Sequence, residues 1–187
     1  MTDVTTPNSV TFIGAAAFAG CTGLADVTIG SGVSQIWSNA FRDCTGLISI
    51  TIGENVIYIG LGVFLNCSSL KAIMVDTANP AYSSLDGVLF IKDQTGLKQY
   101  PPAKVGGYTI PDGVEHIYDA AFGLCTNLTC IIIPDSLIQT VGTPFFGCSS
   151  LSGVYFKGDA PAMVSLYGAD NATVYYIPGT TGWGGDL

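Results

Sequence analysis

The sequence predicts an α/β solenoid, a right-handed stack of coils with short parallel strands on its concave face and helical or 3₁₀ turns closing each coil. Three observations support this prediction. A phenylalanine and a cysteine three residues apart recur five times, as in Phe18/Cys21 and Phe41/Cys44, and most copies follow one another at 23 residues. Each copy ends in the alternation of apolar and polar residues that is typical of a strand. A repeat of this length cannot bury its apolar side alone, so the copies must stack.

The aligned copies share the template Val-x-x-Ile-Gly-x-x-Ala-Phe-x-x-Cys-x-x-Leu-x-x-Val-x-Ile. In the first copy, Val27 and Ile29 alternate with polar residues, and stacking places such strands side by side in a parallel sheet. The apolar residues three apart in Ala-Phe-x-x-Cys-x-x-Leu favour one or two turns of helix or 3₁₀ helix. The Val-x-x-Ile segment predicts a second short extended rung on the other side of the coil. The last copy fits after one residue is deleted between Val141 and Phe145.

The series is interrupted between Phe64 and Phe122, which lie 58 residues apart. Two strand-like runs, 88–91 and 97–100, flank a loop rich in turn residues and predict a β-hairpin that stands out of the solenoid. The hairpin either packs down on a degenerate coil or forms one wall of a binding surface.

These segments predict one domain over residues 1–187. The repeats occupy about 10–76 and 112–157, and the degenerate coil with its hairpin occupies 77–111. Residues 158–187 lose the template, and their apolar run 174–177 predicts a strand that covers the last coil.

The composition and charge of the chain exclude several classes of partner. Apolar residues make up 48% of the chain and charged residues 11%, and the net charge is −8. An acidic protein is repelled by nucleic acids and anionic membranes, so neither is expected as a partner. No apolar run is long enough for a membrane span, and the polar segment 1–8 does not read as a signal peptide.

The six cysteines are better explained as free thiols than as disulfides. Five of them occupy one column of the repeat, where each replaces a small buried hydrophobic residue. Their spacing lacks the Cys-x-x-Cys pairs of a tetrahedral zinc site. Cys130 lies instead at an outward strand position, and we interpret it as an incidental surface thiol because no base or cation adjoins it in sequence.

We expect no enzymatic activity, metal or cofactor. The single histidine, His116, lies on the back of a coil without a serine motif that would complete a triad. The glycines of Ile59-Gly60-Leu61-Gly62 resemble the beginning of a dinucleotide-binding loop, but the third glycine is missing and a coil corner explains them. The carboxylates are scattered along the rim, without the spacing of a calcium loop.

The repeat residues resemble those of a known protein family. The Ala-Phe-x-x-Cys column and the strand motif, over residues 10–156, resemble the BspA-type leucine-rich repeats of bacterial surface proteins and of some parasitic protists. Residues 82–101 and the tail 171–183 are also similar to bacterial members. The resemblance implies a leucine-rich-repeat fold and a secreted or cell-surface protein that binds other macromolecules, with no catalytic residues.

The leading hypothesis is therefore a monomeric, non-catalytic binding module for a protein or another extracellular macromolecule. Its ligand-binding residues would be the outward-facing residues of the concave sheet, which change from polar to apolar along the stack: Asp26, Thr28, Ser49, Thr51, Met74, Thr109, Ile132 and Tyr155. Alternatively, these residues are only strand formers on a solvated sheet. A second hypothesis is a structural spacer or stalk of a larger surface protein, with no specific site.

Overall fold

A computed structural model of the chain describes residues 2–183. Within this range there is no helix, and so none that could cross a membrane. The described chain forms sixteen short strands: β1 (Thr2–Thr5), β2 (Phe12–Ile13), β3 (Leu24–Thr28), β4 (Gln35–Ile36), β5 (Ser49–Ile52), β6 (Tyr58–Ile59), β7 (Ala72–Val75), β8 (Tyr82–Leu85), β9 (Val88–Ile91), β10 (Gly96–Gln99), β11 (Gly106–Thr109), β12 (His116–Ile117), β13 (Leu128–Ile133), β14 (Gln139–Thr140), β15 (Gly153–Phe156) and β16 (Thr173–Tyr176).

The longer strands of successive coils lie side by side in parallel, as the repeat predicts. β1, β3, β5 and β7 form one four-stranded sheet, and β11, β13, β15 and β16 form another. In the first sheet Val27 pairs with Ile50, which pairs with Ile73. All three side chains are buried. Because equivalent residues lie at the same level, each coil buries its apolar side against its neighbours.

Two-residue rungs line the opposite side of the coils. β2, β4 and β6 pair in parallel, and Ile13, Ile36 and Ile59 point into the core. In the last full coil, Thr140 pairs with Ile117 and so occupies the isoleucine column. The predicted deletion before Phe145 is therefore wrong: the copy keeps the full period.

The segments that close the coils are tight turns, and the prediction of helical or 3₁₀ turns is wrong. In the first coil every second amide donates to the carbonyl group three residues earlier, as Ala17 does to Gly14 at 3.2 Å. The amides in between donate to the next coil, as Phe18 does to Ala40 at 2.8 Å. A 3₁₀ helix would keep all of these bonds within one coil. Left-handed residues such as Ala16, with φ of 54°, interrupt the helical path.

Stacked aromatic rings form the centre of the core. The ring centroids of Phe18 and Phe41 lie 5.1 Å apart, and those of Phe41 and Phe64 lie 6.1 Å apart. In the degenerate coil Tyr100 takes the corresponding place, 5.2 Å from Phe122. Tyr100 thus begins the aromatic column of the C-terminal coils.

The predicted hairpin exists, but it lies inside the stack. β9 pairs antiparallel with β10, as predicted, and also with β8, which the prediction missed. Leu89 packs into the core of the N-terminal coils, whereas its neighbours Val88 and Phe90 pack into the core of the C-terminal coils. A strand that is apolar at every position can be buried on both faces. The β8–β9 hairpin is thus a partition between two cores.

The tip of this hairpin ends the first parallel sheet. Asp86 and Gly87, with φ of 51° and 77°, form the two-residue loop of a type I′ turn. The Gly87 carbonyl accepts a hydrogen bond from the Ile73 amide at 2.8 Å, and the Ser84 hydroxyl accepts one from the Val75 amide at 3.1 Å. Because the hairpin occupies the outer edge of β7, β11 starts a new sheet.

A buried asparagine holds the chain where it enters the hairpin. The Asn79 side chain is fully buried and donates to the carbonyl groups of Gly53 and Val56 at 2.8 and 2.9 Å. Its oxygen accepts from the amides of Ala81 and Tyr82. Each of its hydrogen-bonding groups has a partner, which makes burial of this polar group favourable.

The tail extends the second sheet. β16 pairs in parallel with β15, close to the strand predicted at 174–177. Trp183 packs against Phe156 and Tyr176 at the end of the core, with ring centroids 4.8 and 4.9 Å away. The predicted cap ran to residue 187, and its residues 184–187 lie outside the described part of the chain, as does Met1.

Candidate binding face

The N-terminal sheet presents a polar outer face. Thr5, Thr28, Thr51 and Met74 form one row across the four strands. Beside this row, Asp26 pairs with Ser49, whose hydroxyl donates to the Asp26 carboxylate. Apart from Met74, which is 47% exposed, these small side chains offer a ligand little apolar surface.

The C-terminal sheet presents an apolar and aromatic outer face. Its corresponding row consists of Thr109, Ile132, Tyr155 and Tyr175. The rings of Tyr155 and Tyr175 stack with centroids 4.6 Å apart and planes 8° apart. These two side chains are 41% and 46% exposed, so their faces and hydroxyl groups are available to a ligand.

The surface around these rings is also apolar. Tyr176 and Ile177 are about half exposed, and Ile132, Tyr155, Tyr175, Tyr176 and Ile177 line one shallow hollow. We call these five residues the tyrosine patch. The Lys157 ammonium, which also borders the hollow, is paired with the Asp112 carboxylate at 2.8 Å.

The eight residues predicted for binding do not form one continuous strip. The hairpin tip separates five of them, on the N-terminal sheet, from Thr109, Ile132 and Tyr155 on the C-terminal sheet. Tyr175 was not among the predicted binding residues, because the tail was interpreted only as a cap. The signal was the strand predicted at 174–177, since pairing it with β15 places Tyr175 beside Tyr155 in the outward row.

The cysteines of the repeat column have a structural role. All six cysteines are free. The Cys67 thiol donates to the Phe41 carbonyl at 3.1 Å, and equivalent bonds join Cys44 to Phe18 and Cys148 to Phe122. Burial raises the pKa of Cys67 to about 12 and that of Cys44 and Cys148 to about 11. These thiols therefore stay protonated and act as hydrogen-bond donors.

Two cysteines differ from the rest. Cys21 is exposed, contrary to the prediction of a buried column thiol, because no described residues form a coil against that side of it. Cys130 is only half buried, as its outward position predicts, and its sulfur lies over Gly107.

The remaining candidates for chemistry are His116, the carboxylates and the glycines of residues 59–62. His116 is half buried on the back rung, and its Nδ1 is buried without a hydrogen-bond partner among residues 2–183. Over the same residues, no three histidine, cysteine or carboxylate side chains lie close enough to hold a metal. Gly60 is a coil corner, where a Cβ atom would lie 2.5 Å from the Ser38 amide nitrogen.

Comparisons with known proteins agree with this architecture. The sequence model of a BspA type leucine rich repeat region matches six copies, over residues 1–85 and 103–163. A comparison with curated protein sequences gave no match.

Three solved structures share the fold at low sequence identity. The pneumococcal vaccine antigen PcpA has a TM-score of 0.76 and 23% identity, over 92% of this chain and 50% of that one. A leucine-rich repeat protein from Eubacterium ventriosum gives 0.67 and 21%, over 94% and 60%. A leucine rich cell surface protein from Faecalibacterium prausnitzii gives 0.66 and 23%, over 93% and 59%. The chain thus spans about half to three fifths of their lengths.

Proposed function

Because the chain belongs to the BspA-type leucine-rich repeat family, we propose that it is a non-catalytic interaction module of a secreted or cell-surface protein. It binds a protein or another extracellular macromolecule through the outward face of its parallel sheets. The surface location is supported by the description of one similar structure as a cell surface protein and of another as a vaccine antigen.

The tyrosine patch is the observation that carries this proposal. Tyrosine is enriched in binding hot spots, since it buries a large rigid ring and keeps a hydroxyl group for a hydrogen bond. Tyr155 and Tyr175 are held in place by strand pairing and by their mutual stacking. Little side-chain entropy is therefore lost when a ligand covers them. The ligand contacts Ile132, Tyr155 and Tyr175, and the polar residues of the N-terminal sheet contribute less.

Electrostatics narrows the class of partner. With a net charge of −8, the module disfavours nucleic acids and anionic lipid surfaces. A neutral or basic protein segment with apolar side chains fits the tyrosine patch best.

The test selects peptides from a displayed library against the wild-type protein and measures their affinity by calorimetry. We expect Tyr155→Ala/Tyr175→Ala to weaken binding about 30-fold, because anchoring aromatic residues contribute about 2 kcal/mol. The control Thr28→Ala/Thr51→Ala changes the other sheet and should weaken binding far less than the tyrosine variant does. Equal binding by the tyrosine variant would reject the patch as the site.

A spacer without a specific site is the alternative, and the self-satisfied polar face of the N-terminal sheet favours it. If the same protein selects no peptide and also binds nothing on a glycan array, the spacer is the better description.

A further inference from the structure

Where a regular coil follows, the amide of the column phenylalanine donates to a carbonyl group of that next coil, as in Phe18, Phe41 and Phe122. Phe41 donates to Val63 at 3.0 Å, and Phe122 donates to Pro144 at 2.8 Å. The residue two positions earlier does the same in the second coil, where Asn39 donates to Leu61 at 3.0 Å. Each coil thus provides the acceptors for the amides of the coil before it.

This pattern stops at the third coil. The amides of Gly62 and Phe64, which correspond to those of Asn39 and Phe41, have no acceptor among residues 2–183. The next turn of the degenerate coil, at Tyr100, does not supply the missing carbonyl groups. Phe64 is only 1% exposed, and a buried amide without a partner is costly.

The equivalent amides of the earlier coils point towards the next coil, and on that side Gly62 and Phe64 line a small hollow at the edge of the hairpin. One wall is the turn 60–64, and the others are formed by Leu89, Lys98, Gln99 and Asp119. The hollow has a volume of about 20 Å³, enough for one species of the size of a water molecule or a halide ion.

Lys98 also lines this hollow, and its side chain has no anionic partner among residues 2–183. The two ion pairs formed among residues 2–183 do not include Lys98, whose ammonium lies 4.4 Å from the centre of the Tyr118 ring. Burial lowers the pKa of Lys98, because the charged form loses hydration. Asp119 lines the same hollow, but its carboxylate accepts a hydrogen bond from the Thr143 amide of the following coil at 2.9 Å.

We propose that this hollow binds one small inorganic anion, chloride in size and charge, held by the Gly62 and Phe64 amides and the Lys98 ammonium. Amide donors that converge beside a cation are the usual elements of an anion site. A water molecule would also satisfy the amides, but only an anion would both satisfy them and compensate the charge of Lys98.

A crystal of the wild-type protein grown in sodium bromide tests the site directly. We expect an anomalous bromide peak within hydrogen-bonding distance of the Phe64 nitrogen and Lys98 Nζ. A peak of water height without anomalous signal at that place would overturn the proposal.

Thermal unfolding provides a second measurement. At constant ionic strength, replacing gluconate by chloride should raise the midpoint of the wild type in a saturable way, since an anion that binds only the folded state stabilises it. Lys98→Met should lose this rise. Lys71→Met, which removes an exposed lysine of the third coil, should keep it. A wild type without chloride dependence, or a Lys98→Met variant that retains it, would contradict the site; if Lys98→Met does not fold, the bromide crystal decides.

Discussion

At the scale of single residues, the phenylalanine and cysteine act as a pair in the second, third and last repeats. The ring stacks on the ring of the neighbouring coil, and the thiol donates to the backbone carbonyl of the phenylalanine in the preceding coil. A small side chain with one weak donor satisfies a carbonyl group without disturbing the packing. This explains why cysteine, rather than alanine or valine, suits the column.

We expect Phe41→Ala to destabilise the protein by about 3–5 kcal/mol, because Phe41 is fully buried between two rings. Phe18→Ala is the matched control: Phe18 lies at the outer end of the column and is only half buried, so its loss should cost less. Equilibrium denaturation measures both. A loss below about 1 kcal/mol for Phe41→Ala would show that the column is not the main core.

The thiols differ in reactivity by burial. At pH 8 we expect Cys21 and then Cys130 to react with a thiol reagent, whereas the four buried cysteines react only on unfolding. Since the raised pKa values belong to the folded state, the unfolded thiols ionise first, and stability should fall as the pH rises from about 9 towards 12. Cys21→Ser and Cys130→Ser should each remove one early reaction in a mass-spectrometric time course. Early labelling of Cys67 would contradict the donor role.

At the scale of elements, the hairpin is the feature that departs from the repeat. Its strand β9 has one face in each core, and its tip bonds to the edge of β7. Replacing residues 88–100 with a Gly-Ser loop should therefore abolish cooperative folding, since it removes Val88, Leu89, Phe90 and Leu97 from the core.

A milder test of the hairpin is Gly87→Ala. Gly87 has a positive φ, and an added Cβ would lie 3.0 Å from Ala72 of the adjacent strand. We expect a loss of about 2 kcal/mol or more, from backbone strain and from this contact. Gly106 also has a positive φ, but an added Cβ there would meet no atom within 4 Å. The stability lost in Gly106→Ala therefore measures the backbone strain alone. Equal losses in chemical denaturation would show that the hairpin tip does not press on β7.

At the scale of the whole molecule, two cores share one partition. The N-terminal core holds Phe41 and Phe64, and the C-terminal core holds Phe122 and Phe145. Repeat proteins unfold together when the interfaces between their units are strong. Because the same strand completes both cores, we expect the two halves to unfold as one unit, as the predicted single domain requires.

The two tryptophans make this measurable, since Trp37 lies in the N-terminal half and Trp183 packs against the last coil. Trp37→Phe leaves a fluorescence reporter of the C-terminal half, and Trp183→Phe leaves one of the N-terminal half. After correction for the stability of each variant, as measured by circular dichroism, each fluorescence transition should coincide with the loss of secondary structure. A fluorescence midpoint displaced from the dichroism midpoint of the same variant would show that the halves unfold separately.

The sequence by itself determined the stack of coils, the parallel strands, the inward columns and the free cysteines. Each of these follows from spacing within a repeat, which is a local property. Ile132 and Tyr155 were placed on the outer face for the same reason. The helical turns were mispredicted because apolar residues three apart occur equally in stacked turns, whose alternate amides bond to the next coil.

Only the tertiary structure decided where the hairpin lies, how it divides the outer face, and which residues adjoin the tyrosines. The partition depends on which face of β9 meets which core, and a run of apolar residues does not distinguish a buried strand from a protruding one. The contact of Tyr155 with Tyr175 and the hollow beside Lys98 arise where the 23-residue period is broken. Without a fixed period, the sequence carries no register from which such contacts can be read.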